Sequence, residues 1–110
     1  MDEYTIIIVI YPDGEKAKIV AKQLVTDRLA ASVQMFPINS IFRWKNEICE
    51  ANEIVLAIRT KADMFNKISD YITENHPYEL PEIIQIPITD SLPEYLQWIT
   101  DCVNDTRYNH

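Results

Sequence analysis

The chain is poor in glycine, cysteine and histidine. Of its 110 residues one is glycine, Gly14, and cysteine and histidine occur twice each. Phosphate-cradling loops need several glycines so that backbone amides can close on the anion. A P-loop and a GxGxxG fingerprint are therefore both excluded. Cys49 and Cys102 lie far apart, outside any CxxC pair or Cys/His cluster, and read as buried free thiols suited to a reducing cytoplasm. Long basic runs are also missing, and the net charge is −7. Nucleic acid and anionic membrane surfaces are repelled on average by such a chain, so neither is expected as a partner. The opening residues MDEYT are acidic where a secretory signal needs positive charge, and the apolar run Ile6 to Ile10 is too short for one. No stretch approaches the roughly 20 apolar residues of a membrane span. These features predict a cytoplasmic protein.

What is present fits one globular domain over residues 1–110, with 47% apolar residues. Tyr4 to Tyr11 is apolar on both parities, as in a strand covered on both faces. Pro12-Asp13-Gly14 breaks it, with Asp13 placed to cap a helix on which Ala17, Val20, Ala21 and Leu24 recur. That helix is expected to end near Leu29. A second strand is expected at about Ala31 to Phe36, stopped by Pro37. Ser40 to Thr60 reads as a long-armed hairpin with Lys45-Asn46 at its tip. Thr60 to Asp63 resembles a capping box for a helix that Pro77 terminates, and Ser91 to Glu94 resembles another for a last helix. Glu82 to Ile88 is the intervening strand.

The order is βαββαβ plus a C-terminal helix, which predicts an α+β, ferredoxin-like two-layer sandwich. Such a sandwich leaves one sheet face to solvent, and its strands should alternate polar and apolar. These do not: Ile6, Ile8 and Ile10 oppose Ile7 and Val9, and Val55 and Ala57 oppose Ile54, Leu56 and Ile58. At about 25 cal/mol per Å², leaving that second face wet forgoes several kcal/mol. No remaining segment is available to cover it, so the pattern predicts a homo-oligomer packed through its sheets.

For chemistry the candidates are few. Histidine bases reduce to His76, since His110 is the last residue, and no nucleophile motif surrounds it, so no enzyme activity is expected. His76 with Glu79 and Glu82 offers imidazole and carboxylates suited to zinc or copper(II), as an optional cofactor whose remaining ligands come from a second chain. The plainer alternative places His76 in the last turn of a helix, where a cation complements the dipole. Phe42-Arg43-Trp44-Lys45 sets aromatics and cations at the hairpin tip, either as a ligand-holding surface or as an interface. Tyr95 and Trp98 on the last helix carry the same two readings.

Taken together, Pro12-Asp13, Leu29-Ala30-Ala31, Phe42-Arg43-Trp44, His76-Pro77-Tyr78-Glu79, Pro81-Glu82-Ile83, Tyr95-Leu96 and Trp98-Ile99 resemble the CutA-type divalent-cation tolerance family, over roughly Ile6 to Val103. The resemblance implies a cytoplasmic homotrimer with a ferredoxin-like fold, joined through its sheets and extended hairpin. It is associated with tolerance to copper and other divalent metals. It implies metal ligands at His76, Glu79 and Glu82 and a lining of Arg43, Trp44, Tyr78 and Trp98 at inter-subunit clefts. A signalling or scaffold role like that of the P-II proteins, without metal, is the alternative. Members commonly read Ala-Ala-Cys where this chain has Ala30-Ala31-Ser32, and Val9 likewise offers no thiolate. Soft-ligand copper(I) chemistry is thereby disfavoured. Ile38-Asn39 after Pro37 replaces a usual glycine and is expected to alter only the turn.

Overall fold

The computed structural model describes residues 3–103. Strands β1 (Tyr4–Tyr11), β2 (Ser32–Trp44), β3 (Glu47–Lys61) and β4 (Ile83–Ile88) form one antiparallel sheet in the order β2-β3-β1-β4. Helices α1 (Gly14–Thr26), α2 (Phe65–Asn75) and α3 (Pro93–Cys102) complete the chain, with a 3-10 turn at Ala62–Met64 before α2. This is the expected α+β, ferredoxin-like arrangement. Ile7, Val9, Tyr11, Leu56 and Ile58 point from one sheet face into the core, against Leu24 of α1, Ile68 and Ile72 of α2 and Ile99 of α3.

Side chains alternate across a strand, so the other face carries Ile6, Ile8 and Ile10 of β1 and Val55 and Ala57 of β3. By register it also carries Phe36 of β2 and Ile84 and Ile86 of β4. Ile10, Val55 and Ala57 are buried by their neighbours and Ile6 and Ile8 partly so, whereas Phe36, Ile84 and Ile86 at the flanks are each nearly half exposed. The doubly apolar pattern is thus an uncovered apolar sheet face in the single chain.

Pro37 departs from the expected pattern. It does not stop a strand: β2 runs through it without interruption, pairing Pro37 with Ile54. The physical reason is position. β2 is an edge strand, where the missing N–H of proline breaks no second ladder, and the same holds for Pro87 in β4. The hairpin is therefore longer than the sequence suggested. The 15 residues of β3 extend about 50 Å, matching the 48 Å long dimension of the molecule.

Local signals had mixed outcomes. Asp13 caps α1, its Oδ1 accepting from the Lys16 N–H at 2.9 Å. The end of α1 is a Schellman motif, with Leu29 N–H donating to Leu24 O and Arg28 N–H to Val25 O. Arg28 takes the left-handed position usually given to glycine, with φ of 61°. Lys45 and Asn46 do the same at the hairpin tip, with φ of 51° and 68°, as a two-residue type I′ turn requires. Gly14 sits in the first turn of α1, where an added Cβ would meet open space. Neither capping box forms. Thr60 belongs to β3 and its Oγ1 donates to Leu29 O at 2.6 Å, which ties the α1–β2 link to the sheet instead. The start of α3 has Leu92 at its cap and Pro93 at its first position, while the Ser91 N–H donates to Asp90 Oδ1. Cys49 and Cys102 are free as expected, but both are partly exposed rather than buried.

Candidate functional site

The loop between α2 and β4 is organised by His76. The residue follows α2 in extended backbone, with φ −83° and ψ 137°, so its ring leaves the helix axis. Nε2 donates to Ile10 O at 2.6 Å, at the end of β1, and Nδ1 accepts from the Tyr78 N–H at 2.9 Å. A carbonyl only accepts and an amide N–H only donates, so this pattern fixes the neutral Nε2–H tautomer. The expectation of a cation complementing the helix dipole is corrected accordingly. The ring lies 4.3 Å from that of Tyr11 and 5.0 Å from that of Tyr78. Pro77 and Pro81 leave the backbone between them no helical continuation, and the strand resumes at Ile83, opposite Val9.

Tyr78 carries the cluster across to β3. Its hydroxyl donates to Glu53 Oε2 in a short hydrogen bond. Burial and the Glu53 carboxylate together push the Tyr78 phenol up to about 12, since both disfavour a second negative charge. Tyr11 is likewise raised to about 12, by burial first and by Tyr71 second, and its hydroxyl has no partner among the described residues. Glu53 is only 6% exposed. Nothing in its sequence neighbourhood marked it out: Glu53 falls in the ordinary alternation of a hairpin arm, and only the fold brings it to Tyr78.

The remaining candidates are spread out. Glu79 and Glu82 lie on the same loop and are exposed. Arg43 and Trp44 lie at the hairpin tip, about 20 Å along β2 from Ile38, the partner of Glu53. There the Lys45 ammonium sits 5.7 Å from the Trp44 ring. Trp98 of α3 pairs with Tyr95 at 5.5 Å. One chain thus joins His76 and Tyr78, keeps Glu79 and Glu82 beside them, and leaves Arg43, Trp44 and Trp98 elsewhere. Among the described residues no group of three or more His, Cys, Asp or Glu side chains is disposed to hold a metal ion. A surface depression of about 540 Å³ lies at the other end of β1, lined by Tyr4, Thr5, Gln85, Thr89 and neighbours rather than by these candidates. No helix among the described residues is long and apolar enough to cross a membrane.

Comparison with known proteins accords with this geometry. The family model for the CutA1 divalent ion tolerance protein matches residues 5–102. A CutA homolog from Danio rerio is 38% identical over 104 residues, covering 94% of this chain and 69% of its own length. The divalent-cation tolerance protein CutA of Thermus thermophilus is 37% identical over 97 residues, covering 87% and 94% respectively. The solved structure of a CutA from Archaeoglobus fulgidus, described as a periplasmic divalent cation tolerance protein, superposes with a TM-score of 0.88 at 36% identity, over 94% of this chain and all of that one. With its motif loop, long hairpin and sheet order in place over nearly its whole length, the chain belongs to the CutA1 divalent ion tolerance family.

Proposed function

We propose that the protein acts in divalent-cation tolerance as a cytoplasmic homotrimer that binds a metal ion, copper(II) or zinc(II), or a small ligand at the boundaries between subunits. The observation that carries this reading is the uncovered apolar sheet face, ending beside the His76 loop, so that covering the face with another copy closes a cleft around that loop. Glu79 and Glu82 are the available carboxylates. His76 shapes the loop and enters a ligand set only by surrendering the Ile10 or the Tyr78 hydrogen bond. Its imidazole is of the right chemistry for either metal, and a second chain would bring Arg43, Trp44 or Trp98 near it. Ser32 and Val9 supply no thiolate, so the site is one for hard and borderline ions.

Calorimetric titration of copper(II) and zinc(II) into wild type, His76→Ala and Glu79→Gln/Glu82→Gln tests the assignment. Affinity is expected to fall in both variants; equal affinities throughout remove these residues as ligands. The occupied ring nitrogens of His76 favour a second reading, a P-II-like signalling or scaffold module that binds a protein or small effector without metal. A pull-down that recovers the same partner with and without chelator supports it. We assign no catalytic step, and an ester and phosphoester screen with His76-dependent turnover would reverse that.

A further inference from the structure

Among the described residues, one buried carboxylate and one buried guanidinium nitrogen of the sheet lack counterparts. The Glu53 carboxylate is more than nine-tenths buried, takes one hydrogen bond, from the Tyr78 hydroxyl, and is bridged by no lysine or arginine among the described residues. A carboxylate buried this far without a cation is costly, and buried charges in stable proteins are paired. The second is Arg59, whose Nη1 is buried without a hydrogen-bond partner. Both residues lie on β3 at positions of one parity, with Val55 and Ala57 between them, on the sheet face opposite the helix-covered core. Six steps along the strand separate them by about 20 Å, so they do not meet within one chain.

We infer that Glu53 of each subunit receives Arg59 of the next, so that the Tyr78–Glu53 pair is finished only by assembly. This rests on the oligomer proposed above and names the polar contact that orients it. The intervening surface is mainly apolar, formed by Ile6, Ile8, Val55, Ala57, Phe36 and Ile84 with Gln34 among them opposite Ala57, and suits the interior of an interface flanked by the two charges. The contact is heterologous: each subunit offers Glu53 to one neighbour and Arg59 to the other. A closed ring of three then leaves no copy of either charge unpaired. Arginine suits the role, because its planar fork donates to the carboxylate oxygen that Tyr78 leaves free. The carboxylate that positions Tyr78, and through it the His76 loop, is in this way coupled to the subunit boundary.

The test measures the subunit dissociation constant of wild type, Glu53→Gln, Arg59→Gln and the double variant by sedimentation. Each single change should weaken assembly by about 100-fold or more, because it strands the other charge. The double variant should lose far less than the product of the two. Multiplicative losses with wild type fully assembled overturn the pairing and leave the oligomer standing; a monomeric wild type overturns both. Should either glutamine variant fail to fold, Arg59→Lys treated with a carbodiimide gives a second measurement. Peptide mapping should find residue 59 joined to Glu53 of a neighbouring subunit, a link the spacing within one chain forbids. Its absence from a folded, assembled sample refutes the pairing.

Discussion

Replacing Tyr78 with phenylalanine removes one oxygen and strips Glu53 of the only hydrogen bond it takes within the chain among the described residues. Hydrogen bonds to charged groups contribute about 1.5–3 kcal/mol, and a buried acceptor left without its partner also bears its desolvation cost. Tyr78 is itself half-buried, so water reaches part of the vacated space, and the lower end applies: about 2 kcal/mol. For a domain of this size that corresponds to a fall in Tm of roughly 8–12 °C at fixed protein concentration. Glu53→Gln keeps an acceptor for the Tyr78 hydroxyl but strands the neighbouring subunit's Arg59, so in the assembled protein it should cost at least as much as Tyr78→Phe. In the combined variant the two effects should fall short of additivity by about 1 kcal/mol or more. Thermal and urea denaturation of the four proteins measures this. A Tyr78→Phe protein within about 0.5 kcal/mol of wild type, or strict additivity, would refute the view that this bond holds the loop to the sheet.

Four further outcomes follow from other parts of the molecule. Tyr11 and Tyr78 have folded-state phenols raised to about 12 against an unfolded value near 10.0; their stabilisation is fully present below pH 10 and lost as pH rises through 12. Absorbance at the phenolate band should show two late-titrating tyrosines, and one fewer in Tyr78→Phe. Leu56→Ala, in the fully buried core, should cost about 2–5 kcal/mol in urea denaturation. Asn46→Val should cost about 1–2 kcal/mol, because Asn46 holds φ of 68° at the hairpin tip, whereas Asn46→Gly should stay within about 1 kcal/mol of wild type. Ile86→Lys, on the uncovered face, should leave far-UV circular dichroism unchanged while dispersing the assembly in size-exclusion chromatography, and an unchanged elution volume would contradict the role given to that face.

Much of the fold was legible because the signals were local and periodic. The doubly apolar strands, Asp13 as cap, the Lys45-Asn46 tip and the helix stop before Pro77 each follow from a short pattern. The errors arose where tertiary context overrode a local rule. Pro37 looked like a terminator, but a strand with one free edge tolerates it. Thr60 and Ser91 matched capping boxes, yet Thr60 was already committed to β3 and to Leu29 O, and Leu92 took the cap of α3. The site was legible only in part. His76, Tyr78, Glu79 and Glu82 share one short loop, so sequence proximity found them. Glu53 comes from a strand 25 residues away from Tyr78, and no local pattern connects the two. The dual engagement of the His76 ring was equally hidden, since it depends on Ile10 O at the end of β1.

The proposed oligomer depends on further copies of this chain covering the apolar sheet face. Native mass spectrometry of the purified protein tests it most directly. A ring of three gives a dominant species of three times the 12.9 kDa chain mass, with any ligand retained from the cell as added mass. A dominant monomer at micromolar concentration would contradict it.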